Sequence, residues 1–264
     1  MSEIQKRYDH FLKFIPQVAE FIKKTKTDSI LKIEKKGRID LVTQADKGSE
    51  KMITEEILKH FPDDSILGEE DGVVNGSSGY KWIIDPIDGT TNFAHNLPLY
   101  SISIGLEDTQ KKEMVMGIVA MPDLGEIYHA IKGGGAYKNG QKINVSASVD
   151  LENSLLCTGF PQTDQKDIDR LGRVYVNLLK ATRGVRRTGS AVLDLCWVAE
   201  GRFDGFYEYG LNPWDTAGPV AIILESGGKL STIKGELFHP EIPSVVASNG
   251  NIHELIIQKI AEIK

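Results

Sequence analysis

The 264-residue sequence predicts a layered mixed fold, α+β in its first half and α/β in its second. Two observations carry that expectation. Residues 100–145 hold short apolar segments separated by tight-turn sequences, Pro122-Asp123-Leu124-Gly125, Gly133-Gly134-Gly135 and Asn139-Gly140, the pattern of an antiparallel meander. Later in the chain, strand-like and helix-like segments alternate, as they do in α/β layers. The texture changes over residues 146–153, so the expected division is 1–150 and 151–264.

Ile4, Tyr8, Phe11, Leu12, Ile15, Val18, Ala19 and Ile22 recur at helical spacing and define a first amphipathic helix. Pro16 is expected to kink it or split it. Residues 30–33 and 39–42 read as short strands of a hairpin around Lys35, Lys36, Gly37 and Arg38. Met52, Ile53, Ile57, Leu58 and Phe61 line one face of a second helix, which Pro62 stops. Asp46 sits near its start, where helix capping alone would explain an acid. A short strand over 65–68 delivers Glu69, Glu70 and Asp71 to its end, and a polar loop over 72–79 follows. The meander takes residues 100–106, 115–121, 126–131, 136–138 and 143–145.

In the second half, strands are expected at 155–158, 185–187 and 203–207 and near Leu230 and Val245. Helices are expected at 165–181, 191–200, 214–225 and 252–263. The helix at 214 has the clearest punctuation: Asn212 as N-cap, Pro213 at the first position, Asp215 in the first turn and Gly227-Gly228 at the close.

Composition is that of a folded globular protein, 41% hydrophobic and 26% charged. A formal net charge of −6 argues against direct nucleic-acid or anionic-membrane binding as the main activity. Cys157 and Cys196 lie inside apolar runs and read as buried, inert thiols in a reducing compartment. With no signal-peptide core and no apolar run near the ~20 residues of a membrane span, the expected location is cytoplasmic.

The chain is organised around residues 81–92. Trp82-Ile83-Ile84 reads as a buried strand that Asp85 and Pro86 end, since Pro cannot continue a central strand. Asp88 follows three residues after Asp85, Gly89 permits a turn, and Thr90 and Thr91 can cap a short helix whose N–H groups would face an anion. Oxygen-only ligands beside a phosphate position suit Mg²⁺. Asp46, Glu69, Asp85 and Asp88 fall at strand ends or just after them and Asp215 opens a helix, where α/β architectures place their chemistry.

Three segments carry a resemblance: Gly68-Glu69-Glu70, then 82–93, then Trp214-Asp215-Thr216-Ala217-Gly218. In order and spacing they are similar to the motifs of the inositol monophosphatase family, over essentially the whole chain. The resemblance implies an αβαβα sandwich, often a homodimer, that hydrolyses small phosphomonoesters with two to three Mg²⁺ ions and is inhibited by Li⁺. It further implies that Glu69, Asp85, the Ile87 carbonyl, Asp88 and Asp215 are metal ligands. Thr90, Asp46 and Glu69 would be catalytic, Thr90 and Asp46 activating the attacking water. Asp88, Gly89, Thr90, Gly189, Ser190, Ala191, Glu208 and Asp215 would contact substrate. For Ser190 a plain N-cap and for Glu208 a solvated strand-end acid are the bland alternatives. Arg186 and Arg187 have three readings: a second phosphate, a dimer partner or solvent. One of Lys35 and Lys36 would face the site.

Two rivals stand beside this reading. Asp-x-x-Asp-Gly-Thr resembles the nucleophile loop of haloacid-dehalogenase phosphatases, but its acids are one residue too far apart and it does not open the chain. A protein-binding role with the phosphatase site retained is the second. The substrate alternatives are inositol monophosphate, fructose 1,6-bisphosphate, adenosine 3′,5′-bisphosphate and the 2′-phosphate of NADP, with residues 159–162 expected to help choose among them.

Overall fold

A computed structural model describes residues 2–27, 34–35, 41–42, 44–161 and 167–263. The elements begin with α1 (Glu3–Thr27), β1 (Glu34–Lys35), β2 (Leu41–Val42), α2 (Gln44–His60), β3 (Ser65–Gly68) and β4 (Val73–Val74). There follow β5 (Tyr80–Asp88), α3 (Thr90–Ala94), β6 (Ser101–Asp108), β7 (Glu113–Met121), β8 (Glu126–Ile131), β9 (Gly135–Lys138) and β10 (Gln141–Lys142). The second half holds β11 (Leu155–Thr158), α4 (Ile168–Ala181), β12 (Gly184–Arg186), α5 (Ala191–Ala199) and β13 (Gly205–Tyr209). It closes with α6 (Trp214–Glu225), β14 (Lys229–Ser231), β15 (Ser244–Ser248) and α7 (His253–Ala261).

Two large sheets alternate with helices. The eight-stranded sheet runs β10-β9-β8-β7-β6-β5-β3-β4, and the five-stranded sheet runs β12-β11-β13-β15-β14. The large sheet is antiparallel except where β3 pairs with β5, and in the small one β11 is parallel to both neighbours. Helices α1 and α2 cover one face of the large sheet, where Phe11, Ile15, Ile53, Ile57 and Trp82 are fully buried together. α5 and α6 fill the space between the sheets, with Val192, Cys196 and Ile222 in the shared core. α4 and α7 cover the far face of the small sheet through Val174, Leu178, Ile256 and Ile260. Each of these buried aliphatic side chains contributes about 1.5–3 kcal/mol by leaving water. The layers are therefore αβαβα.

Several local expectations change. α1 is one helix with Pro16 inside it. Pro16 lies on the exposed face, so the Leu12 carbonyl that loses its N–H partner is not trapped in the core. Leu58, placed with the buried face of α2, is 39% exposed. β10 takes Gln141–Lys142 rather than 143–145, directly across the Asn139-Gly140 turn. β13 starts at Gly205, two residues later than expected. Within the expected hairpin, only Glu34–Lys35 and Leu41–Val42 are described, and they pair antiparallel. Which of Lys35 and Lys36 faces the site lies outside what is described, as does Gln162.

Close backbone approach fixes α6 against the large sheet. A Cβ on Gly117 would lie 1.9 Å from the Gly218 carbonyl oxygen, and one on Gly105 would lie 2.7 Å from the Ala217 carbonyl carbon. A Schellman close ends α6, the Gly228 N–H reaching the Ile223 carbonyl at 2.9 Å with Gly227 at φ 87.

Candidate active site

The central strand does not stop at Asp85. β5 continues to Asp88, and its ladder with β6 skips Pro86 and Ile87: Asp85 faces Ser103 and Asp88 faces Ser101. Three steps on β5 oppose two on β6, which is a β-bulge. Side chains three apart on a regular strand point to opposite faces, so the extra residue is what turns Asp88 to the side of Asp85. Pro86, with no N–H to donate, suits the unpaired position. The expectation that Pro86 ends the strand is thus corrected to a bulge within it.

Gly89 then takes φ 90 and ψ 37 as the N-cap of α3, where Thr90 and Thr91 were expected to cap. A Cβ there would crowd the Leu99 carbonyl at 3.0 Å in a left-handed conformation that glycine alone adopts without strain. Asn92 ties this turn to the second half of the chain, donating to the carbonyls of Leu99 at 2.6 Å and Thr188 at 2.8 Å. α6 brings in Asp215, whose carboxylate accepts the Asn212 N–H at 2.7 Å. The helix starts at Trp214 with Pro213, rather than Asn212, in the capping position.

Carboxylate oxygens of Asp85, Asp88 and Asp215 lie within 4.8 Å of one another. They open on a cleft of about 240 Å³ that Glu69, Ile87, Gly89, Thr90, Gly189, Ser190, Ala191 and Glu208 also line. Asp46 stands behind this wall, buried, and accepts from the Thr90 hydroxyl at 3.4 Å; the same hydroxyl lies 3.1 Å from the Ile87 carbonyl. The twelve residues named for metal, catalysis or substrate contact therefore gather at one place, Asp46 through its bond with Thr90.

The electrostatics are those of a buried acid cluster. Burial, then the charges of Glu69, Asp88, Asp215 and Asp46, push the Asp85 carboxyl well above its usual range. Burial raises Asp88 to about 6 against hydrogen bonds from Ser190, Val192 and Gly89. Burial and the Asp88 charge raise Asp215 to about 7. Asp85 Oδ1 is buried with no hydrogen-bond partner among the described residues. A buried carboxylate oxygen left bare costs ~1–3 kcal/mol or more. An all-oxygen set of three converging carboxylates with one bare oxygen fits a hard divalent cation, which would satisfy that atom and offset the repulsion.

The bland readings fare unequally. Ser190 does cap α5, accepting the Leu193 N–H at 3.2 Å, but it also donates to Asp88 at 2.5 Å. Glu208 is 9% exposed and so not a solvated acid; burial and the charges of Asp194, Asp215 and Asp88 raise it. Gly159 gives it room, since a Cβ there would lie 2.2 Å from its carboxylate. Of the arginine pair, Arg187 lines the cleft and its guanidinium lies 5.8 Å from the Phe160 ring centre.

Sequence reasoning missed Glu50 and Asp194. Glu50 is buried and accepts the N–H groups of Glu70 and Asp71 at 3.0 and 2.7 Å, which shapes the turn that presents Glu69. Asp194 lines the cleft, 1% exposed, with Oδ1 unpartnered among the described residues. A lone acid in the apolar helix Ala191–Ala199 was the available signal.

Fold and cleft together define a layered αβαβα protein with a carboxylate cluster at the ends of its central strands. A family model described as the inositol monophosphatase family matches residues 5–264, and the chain belongs to that family. It is 38% identical over 226 residues to the fructose-1,6-bisphosphatase/inositol-1-monophosphatase of Aquifex aeolicus, covering 86% of this chain and 84% of that one. It is 36% identical to the Nus factor SuhB of Pseudomonas aeruginosa, covering 88% and 86%. The solved structure of a Thermotoga maritima IMPase superposes with a TM-score of 0.88 at 35% identity, covering 97% of each chain. Membership supports a phosphatase role, in a family that is generally metal-dependent. No helix among the described residues is long and apolar enough to cross a membrane.

Proposed function

We propose that this chain is a Mg²⁺-dependent phosphomonoesterase acting on inositol monophosphate or a similar small phosphorylated alcohol. The observation that carries the reading is the convergence of Asp85, Asp88 and Asp215 within 4.8 Å, from a bulged strand and a distant helix, around the bare Asp85 Oδ1. Glu69, Asp85, the Ile87 carbonyl, Asp88 and Asp215 would hold two to three ions. The ions, when bound, neutralise the phosphate dianion and lower the pKa of an attacking water.

The chain's own residues do the rest. The Thr90 hydroxyl, between Ile87 and Asp46, presents a lone pair to the cleft and takes a proton from water while its own proton passes to Asp46 Oδ1. The N–H groups of Gly89 and Thr90 receive phosphate oxygens. Ser190 fixes Asp88 in place, and Gly189, Ala191 and Glu208 line the part of the cleft that takes the alcohol. A polyol suits that end, because buried carboxylates discriminate for hydroxyl donors. The halves 1–150 and 151–264 each supply part of the site. A homodimer in the cytoplasm, without direct nucleic-acid or membrane contact, completes the reading.

Phosphate release from inositol monophosphate, fructose 1,6-bisphosphate, adenosine 3′,5′-bisphosphate and NADP, with Mg²⁺, with EDTA and with Li⁺, tests it. Preference for inositol monophosphate, abolished by EDTA and inhibited by Li⁺, supports it. Comparable rates on several substrates make the chain a broad-specificity phosphatase, and no release sinks the enzyme reading. With Asp88→Asn, activity should fall by orders of magnitude while the fold persists.

Similarity to a protein named a Nus factor favours a second reading, a protein-binding role with the phosphatase site retained. A partner captured equally by wild type and Asp88→Asn would establish it as separate from catalysis.

A further inference from the structure

On the opposite face of the large sheet from α5 and α6, α1 and α2 bring His10, Glu56 and His60 together, with one ligand atom of each within 4.8 Å of the others. Glu56 and His60 are four apart on α2 and so share a face. His10 reaches the same point from α1. Both imidazoles address one atom: His10 Nε2 lies 2.8 Å and His60 Nε2 3.2 Å from Glu56 Oε1. The rings lie 4.2 Å apart at 44°. His10 is held edge-on by Phe11 at 5.5 Å and Phe61 at 5.9 Å, which limits its freedom before any ligand arrives. Lys59 is 3.7 Å from the other Glu56 oxygen.

We propose that His10, Glu56 and His60 form a second, non-catalytic metal site for a borderline-soft divalent ion of the Zn²⁺ class. Two imidazoles and a carboxylate are a Zn²⁺ donor set, whereas the all-oxygen cleft suits Mg²⁺. Ligands about 2.0–2.1 Å from a tetrahedral ion stand about 3.4 Å apart. The His–Glu separations of 2.8 and 3.2 Å are shorter, so an outward shift of the side chains admits the ion. In the bound form each imidazole would offer an unprotonated Nε2 and carry its ring proton on Nδ1. Partial exposure, with the His60 side chain 37% and the His10 side chain 29% accessible, gives an entry path and a fourth position for water. The ion pins α1 to α2, whose other end carries Asp46.

The test uses the full chain in excess Mg²⁺, so that the carboxylate cleft is filled, with Zn²⁺ as the probe. Equilibrium dialysis should find one Zn²⁺ that excess Mg²⁺ does not displace. The His10→Ala/His60→Ala variant should weaken it by about 100-fold or more. In imidazole NMR spectra, His10 and His60 alone among the six histidines should shift on adding Zn²⁺. Zn²⁺ should also raise the melting temperature of wild type and not of Glu56→Gln, which keeps the side-chain shape and provides a check if the double variant folds poorly. Full displacement of Zn²⁺ by Mg²⁺, or equal Zn²⁺ affinity in wild type and the variants, overturns the proposal.

Discussion

The Ser190 hydroxyl donates to Asp88 Oδ2 at 2.5 Å while accepting the Leu193 N–H at 3.2 Å, so one side chain both starts α5 and holds a carboxylate 102 residues away. Val192 N–H adds a second bond to the same oxygen at 2.8 Å. Ser190→Ala should cost about 1 kcal/mol through the lost cap. Loss of the bond that orients Asp88 should lower kcat/KM by about 10–100-fold, with Ser190→Thr recovering much of both. Urea denaturation and steady-state kinetics read the two effects separately. Unchanged kinetics in Ser190→Ala would show that Asp88 needs no such support.

Removing the divalent ion should destabilise the protein, because the Asp85, Asp88 and Asp215 charges then face one another uncompensated. Binding at 100 times its Kd adds about 2.7 kcal/mol. Asp85→Asn should melt higher than wild type in EDTA and gain much less from Mg²⁺. Thermal melts of both proteins, with EDTA and with Mg²⁺, check this, and an equal Mg²⁺ shift in the two would refute the ligand role of Asp85.

Metal-free stability should run against the usual direction with pH. Asp88 and Asp215 are raised from the ordinary 3.8 to about 6 and about 7, chiefly by burial. The folded state therefore holds these protons more tightly than the unfolded chain does. Their stabilising contribution is complete below the unfolded value and is lost as pH climbs through the two folded values. In EDTA the protein should be more stable at about pH 5 than at about pH 8. Excess Mg²⁺ should flatten or reverse that slope, since the ion binds only the deprotonated carboxylates. Chemical denaturation across this range is the measurement.

Gly117→Ala should misplace Asp215 without touching the cleft. The new Cβ would meet the Gly218 carbonyl oxygen, three residues along α6 from Asp215, at 1.9 Å. Overpacking of this kind costs about 1–3 kcal/mol, and the atoms met first are backbone rather than a flexible side chain, so α6 must move. The expected result is lower stability together with reduced Mg²⁺-dependent activity. Reduced stability with wild-type activity would mean that the cleft tolerates a shifted α6.

Much of this was legible in the chain because it is local. The residues 155–158 strand and the 214–225 helix appear with the bounds expected, and periodicity placed Phe11, Ile15, Val18 and Ile22 on one buried face. Pro16 does not split α1 because proline's cost depends on which face it occupies, and exposure is set by packing. Leu58 misled for the same reason. Glu50 and Asp194 went unseen because their roles depend on what lies across space: backbone N–H groups twenty residues on in one case, a cleft wall in the other.

By itself the sequence determined most of the elements and tight turns, though not every cap or strand end, and through the three matching motifs the family and the residues to watch. Those properties depend on dihedral preferences, apolar periodicity and residue identity, all of which are written locally. Only the tertiary structure decided that Asp85 and Asp88 share a face, because that follows from a bulge in the pairing of β5 with β6. It also brought Asp215 to them, through glycine-to-glycine contact between α6 and β7. Convergence across 130 residues of chain is a property of packing, and no local propensity encodes it.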